Sequence, residues 1–150
     1  MEQMYWINAR DKLGFLSSLM HELASENSQI ILEGDLTSFD FSQIEKYKIE
    51  GEYKCDSDTT VISLLLTENN IKSILKQIQP SGKFANEIRH IQIRINNEIQ
   101  LLVGDNFDNE CISVGPAVSL EILTKLKNNG IIRGVQTDAE AKAKYSWNNA

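Results

Sequence analysis

Apolar residues recur along this chain with two periods, and the switches between them mark out the elements. Leu13, Leu16, Met20 and Leu23 stand at helical spacing, with Phe15 and Leu19 widening the stripe. They predict a first helix from about Ala9 to Ala24. Asn8 is its expected N-cap and Asp11 its third residue, where a carboxylate suits the positive helix end. A short apolar run, Ser28 to Leu32, reads as a strand. Tyr47, Ile49, Gly51, Tyr53 and Cys55 then share one parity, and Lys48, Glu50, Glu52 and Lys54 the other. That alternation is a strand with one wet face. Asp56-Ser57-Asp58 is turn chemistry, and Thr60 to Leu66 is rich in β-branched residues, so the two runs predict a hairpin. Ile71, Ile74, Leu75 and Ile78 form the next helical stripe, which Thr67 caps and Pro80 stops.

Arg89 to Val103 reads as a second hairpin with an arguable register. Ile91, Ile93 and Ile95 share a face, as do Ile99, Leu101 and Val103. A two-residue loop at Asn96-Asn97 pairs Ile95 with Glu98 and mixes the faces. The apolar face therefore asks for a three-residue loop, or an even one with a bulge nearby. His90, Gln92, Arg94 and Gln100 fall on the solvent side. Glu110 to Val114 is a further strand. Gly115-Pro116 is expected to open a third helix carrying Leu120, Ile122, Leu123 and Leu126, which Asn129-Gly130 ends. Ile131 to Val135 is the last strand, and Asp138 to Lys144 adds a helical turn or two. The order α-β-β-β-α-β-β-β-α-β has no repeating βα unit. It predicts one α+β domain, with a mixed or mainly antiparallel sheet of two hairpins plus short strands and about three helices packed on it.

Length and composition agree with a single domain. The chain has 150 residues, 41% of them hydrophobic and 24% charged. The two cysteines, Cys55 and Cys111, cannot make a disulfide framework and are expected as reduced, small apolar residues in strands. The N-terminus lacks the basic and apolar regions of a signal peptide, and no window has 18 uninterrupted apolar residues. A soluble cytoplasmic protein is the expectation.

Charge changes the picture most. Ten acidic residues lie between Glu22 and Asp58, opposed there only by Lys46, Lys48 and Lys54, a local balance of −7 in a chain whose total is −6. Such a field repels phosphate and attracts cationic surfaces, so neither nucleic acid nor a membrane is an expected partner. Phe39, Phe41, Tyr47 and Tyr53 are interleaved with the acids, and anionic groups with aromatic anchors suit a protein interface.

The remaining chemistry is thin. His21 and His90 have no cysteine, serine or carboxylate partner at a motif spacing, so a catalytic role is not expected. No metal-ligand spacing is present, and the oxygen-rich run Asp105 to Glu110 departs from a calcium loop. Val114-Gly115-Pro116 lacks the glycines and lysine of a phosphate loop. No cofactor is expected. The leading expectation is a non-enzymatic protein-binding domain, an immunity or antitoxin-like inhibitor docking on a basic partner such as a toxin nuclease. Its contact residues are Glu33, Asp35, Asp40, Glu45, Glu50, Glu52, Tyr53, Asp56 and Asp58. The alternatives are a small-molecule-binding or regulatory module, an enzyme using carboxylates alone, and a homo-oligomer formed through a strand edge.

Overall fold

The structure is a computed structural model describing residues 4–47, 52–54, 59–78, 87–104, 111–137, 139 and 140. Its described strands are β1 (Tyr5–Ala9), β2 (Ser28–Gly34), β3 (Glu52–Lys54), β4 (Thr60–Leu65), β5 (Ile88–Ile95), β6 (Glu98–Val103), β7 (Ile112–Val114) and β8 (Ile132–Thr137). The helices are α1 (Lys12–Leu23), α2 (Glu68–Ile78) and α3 (Leu120–Asn128). The strands form one sheet in the order β3-β4-β2-β5-β6-β7-β1-β8, and every neighbouring pair is antiparallel. This is the α+β class the sequence predicts.

The apolar parity of each strand lines up across the register. Ile62 and Leu64 on β4 lie opposite Leu32 and Ile30 on β2, which lie opposite Ile91 and Ile93 on β5. Those lie opposite Val103 and Leu101 on β6, and these opposite Ile112 and Val114 on β7. Phe15, Leu16, Leu19 and Met20 of α1, Ile71 and Ile74 of α2, and Leu123 of α3 join the same buried cluster. The helices therefore cover one face of the sheet, the core face. The opposite, outer face carries Glu33, Ser63, His90, Gln92, Leu102, Ser113 and Trp6.

The two halves of the sheet repeat one arrangement. β4 and β5 run parallel on either side of β2 and are joined by α2. β7 and β8 run parallel on either side of β1 and are joined by α3. α1 carries the chain from β1 to β2, so the central strand of each half comes from the start of the chain.

Three expectations are corrected. The first helix begins at Lys12, not Ala9, because Tyr5 to Ala9 is the strand β1 between β7 and β8. Its cap is Asp11, whose Oδ1 accepts the Gly14 N–H at 2.9 Å, and not Asn8. The third helix begins at Leu120 with Ser119 as its cap, not at Gly115-Pro116. Residues 115 to 118 instead turn over a bulge in β6. The Gly115 N–H donates to the Gln100 carbonyl at 2.9 Å, and the Ala117 N–H donates to Gln100 Oε1 at 2.9 Å. The same bulge resolves the second hairpin. Its loop is the two-residue Asn96-Asn97, both at positive φ, and the register shifts between Ile93 and Arg94 so that Leu101 returns opposite Ile93.

The helix end at Gly130 follows the sequence reading. Gly130 has φ +77°, its N–H donates to Lys127 O, and the Ile131 N–H donates to Leu126 O. The Ile131 carbonyl then accepts from the Arg10 and Asp11 N–H groups, which ties the α3 exit to the α1 entry. β3 pairs with β4 as the first predicted hairpin requires, with Tyr53 opposite Val61.

Candidate functional site

The chain leaves β2 at Gly34 and crosses to β4 through residues 35–47, a connection built from alternating anchors and carboxylates. Leu36, Phe39, Phe41 and Ile44 are buried in the core cluster, and the Phe39 and Phe41 rings stack with centroids 5.7 Å apart. These two rings are the correction to the expected aromatic contacts. At 8% and 5% exposed they hold the connection down and do not protrude as anchors. Its far end pairs with the β4 edge: the Leu65 N–H donates to Glu45 O, and the Tyr47 N–H to Ser63 O.

Asp35, Asp40 and Glu45 are exposed beside these anchors. Asp35 Oδ1 accepts the Thr37 hydroxyl at 2.7 Å and the Thr37 N–H at 3.3 Å. Asp40 Oδ1 accepts the Ser42 hydroxyl at 2.5 Å and the Ser42 N–H at 3.1 Å. The hydroxyl bond first, and the backbone bond second, hold each carboxyl below the usual aspartate range. The Asp40 N–H also donates to Gln77 Oε1 at 3.0 Å, which fixes the connection to the end of α2. Beside Asp40 lies a recess of about 200 Å³ lined by Phe39, Asp40, Phe41, Ser42, Lys46 and Ile62.

The acidic stretch does not gather into one surface. Glu22 and Glu26 are exposed before β2 begins, whereas Asp35, Asp40 and Glu45 follow its end, roughly 20 Å away along the strand. Glu33 is on the outer face, and its Oε2 lies 3.4 Å from His90 Nε2. Glu50, Asp56 and Asp58 lie outside the described residues, as does Cys55. Glu52 and Tyr53 are described by backbone register alone, opposite Ile62 and Val61.

Both histidines meet carboxylates that spacing along the chain does not reveal. His21 Nδ1 is 3.2 Å from Glu68 Oε2, between α1 and α2, and His90 meets Glu33 directly across β2 and β5. Finding either pair requires the helix packing or the strand order. Among the described residues, no group of three or more His, Cys, Asp and Glu side chains is placed to hold a metal ion. No helix among them is long and apolar enough to cross a membrane. No protein-family model, curated protein or solved structure matches the chain.

Proposed function

We propose that this chain is a non-enzymatic protein-binding domain, an immunity or antitoxin-like inhibitor whose 35–47 connection docks on a basic partner such as a toxin nuclease. One observation carries the reading: a recess of side-chain size has the Asp40 carboxylate in its lining and the exposed Asp35 and Glu45 on the same connection. A lysine or arginine entering it meets an anion held ionised by two hydrogen bonds and leaves its aliphatic stem against Phe39 and Phe41. The buried anchors keep the carboxylates in fixed positions, so little ordering cost falls on binding. Lys46 in the same lining opposes a second cation and sets part of the selectivity.

The test is stopped-flow association between the purified chain and candidate basic toxin nucleases, at rising salt. The expected association rate falls steeply with ionic strength. Charge reversal, Asp40→Lys with Glu45→Lys, lowers it by roughly 10-fold or more, in the range that electrostatic steering supplies. Lys46→Ala raises it. A rate indifferent to salt and to the charge reversal removes the reading.

A further inference from the structure

Two opposite charges line the recess on the 35–47 connection and do not meet. Asp40 Oδ1 accepts from the Ser42 hydroxyl and N–H, whereas among the described residues its Oδ2 accepts no hydrogen bond. Lys46 is half-buried, and its backbone is bridged to Leu64 on β4. The ion pairs among the described residues are those of His21 and His90. Asp40 and Lys46 are therefore paired neither with each other nor with another described group. Each is held from its own side, Asp40 through its N–H bond to Gln77 Oε1 and Lys46 through the strand pairing at the β4 edge. Apart from the Ser42 hydroxyl, already bonded to Asp40, the rest of the lining is apolar: Leu36, Phe39, Phe41 and Ile62. The space is about 200 Å³. That is below the roughly 300–1,000 Å³ of pockets for drug-sized ligands, so it holds a molecule of few heavy atoms.

We propose that this recess binds a free α-amino acid with an aliphatic side chain, its ammonium on Asp40, its carboxylate on Lys46 and its side chain against the two phenyl rings. Charge matching selects the class. A basic amino acid brings a second cation to face Lys46, and an acidic one a second anion to face Asp40. A neutral amino acid matches the lining one for one. The apolar walls favour leucine, isoleucine or valine over serine, because an aliphatic side chain displaces water from them at no polar cost. Charge-assisted hydrogen bonds at both ends fix the orientation. Such binding needs no partner protein, so it stands apart from the docking of a toxin in the same recess.

The test is isothermal titration of the full chain with L-leucine and with two probes that each lack one charge, 4-methylpentanoate and 3-methylbutylamine. Leucine is expected to bind about 10-fold or more tightly than either probe, since each loses one charge-assisted bond. Asp40→Asn and Lys46→Met are each expected to weaken leucine binding by about 10-fold. Asparagine can still accept the Ser42 bonds, and methionine keeps the aliphatic stem, so both changes spare the packing. The charge-deleted probes act on the unaltered chain and keep the test independent of any variant. Removing the Lys46 charge also favours a cationic partner, so one substitution moves leucine binding and toxin docking in opposite directions. No saturable binding at millimolar leucine, either probe binding as tightly as leucine, or undiminished binding by Lys46→Met overturns the proposal.

Discussion

Replacing Gly34 by alanine tests how the end of β2 launches the acidic connection. Gly34 has φ +156°, and a Cβ there would stand 2.1 Å from the Glu87 carbonyl oxygen and 2.9 Å from the Arg89 nitrogen. Both are backbone atoms of the paired chain and cannot swing away as a side chain tip would. Two costs follow. A side chain held in a conformation that favours glycine costs about 1–3 kcal/mol. Separating the strands breaks the bond from the Asp35 N–H to Glu87 O, 2.9 Å long, worth about 1 kcal/mol. Together they predict a loss of roughly 2–4 kcal/mol, a large part of the ~5–15 kcal/mol that such a domain has. The assay is urea unfolding, where the midpoint should fall by roughly 1–2 M for an m-value near 2 kcal/mol/M. Gly130→Ala is the control. Gly130 also has positive φ, +77°, but nothing lies within 4 Å of its added Cβ. It should lose only the conformational part, about 1–2 kcal/mol. If Gly34→Ala is no more destabilising than Gly130→Ala, the contact with the β5 backbone does not constrain this corner.

Two further outcomes follow from single groups. Asp35 and Asp40 are held below the usual aspartate range, so their hydrogen bonds contribute fully above the unfolded-state value, and that contribution is lost as pH falls through the lowered folded value. Carboxyl-carbon NMR titration should therefore find both below free aspartate, and Thr37→Val and Ser42→Ala should each raise the value of its own partner. Ser113→Ala removes a buried hydroxyl that has no partner among the described residues. The thermal midpoint should hold or rise, by up to about 1 kcal/mol of stability, and a clear loss would mean that the hydroxyl is bonded in solution.

Local periodicity and local chemistry could be read from the chain before it folded. The stripe Ile71, Ile74, Ile78 is α2, the alternation around Ile91 and Ile93 is β5, and Asn129-Gly130 closes α3, because each pattern reports which side of one element meets the core. For the same reason the second hairpin was legible as needing either a three-residue loop or a bulge, and the structure takes the second, with the even loop Asn96-Asn97 and the register shift after Ile93. β1 was not. Tyr5 to Ala9 is short and runs straight into the α1 pattern, and Ile7 and Ala9 are buried only because β7 and β8 arrive from the other end of the chain.

The candidate sites divide in the same way. The carboxylates of the 35–47 connection were visible as charge, and the Asp35 and Asp40 turns are contacts within two residues. Tertiary structure alone decided that Phe39 and Phe41 turn inward, and that Glu22 and Glu26 stand at the far end of β2 from Asp35. It also decided that Glu33 and His90 meet, since β2 and β5 bring together residues far apart along the chain. Strand order is a property of the packed sheet, set by long-range hydrogen bonding and shared burial, and no single segment encodes it.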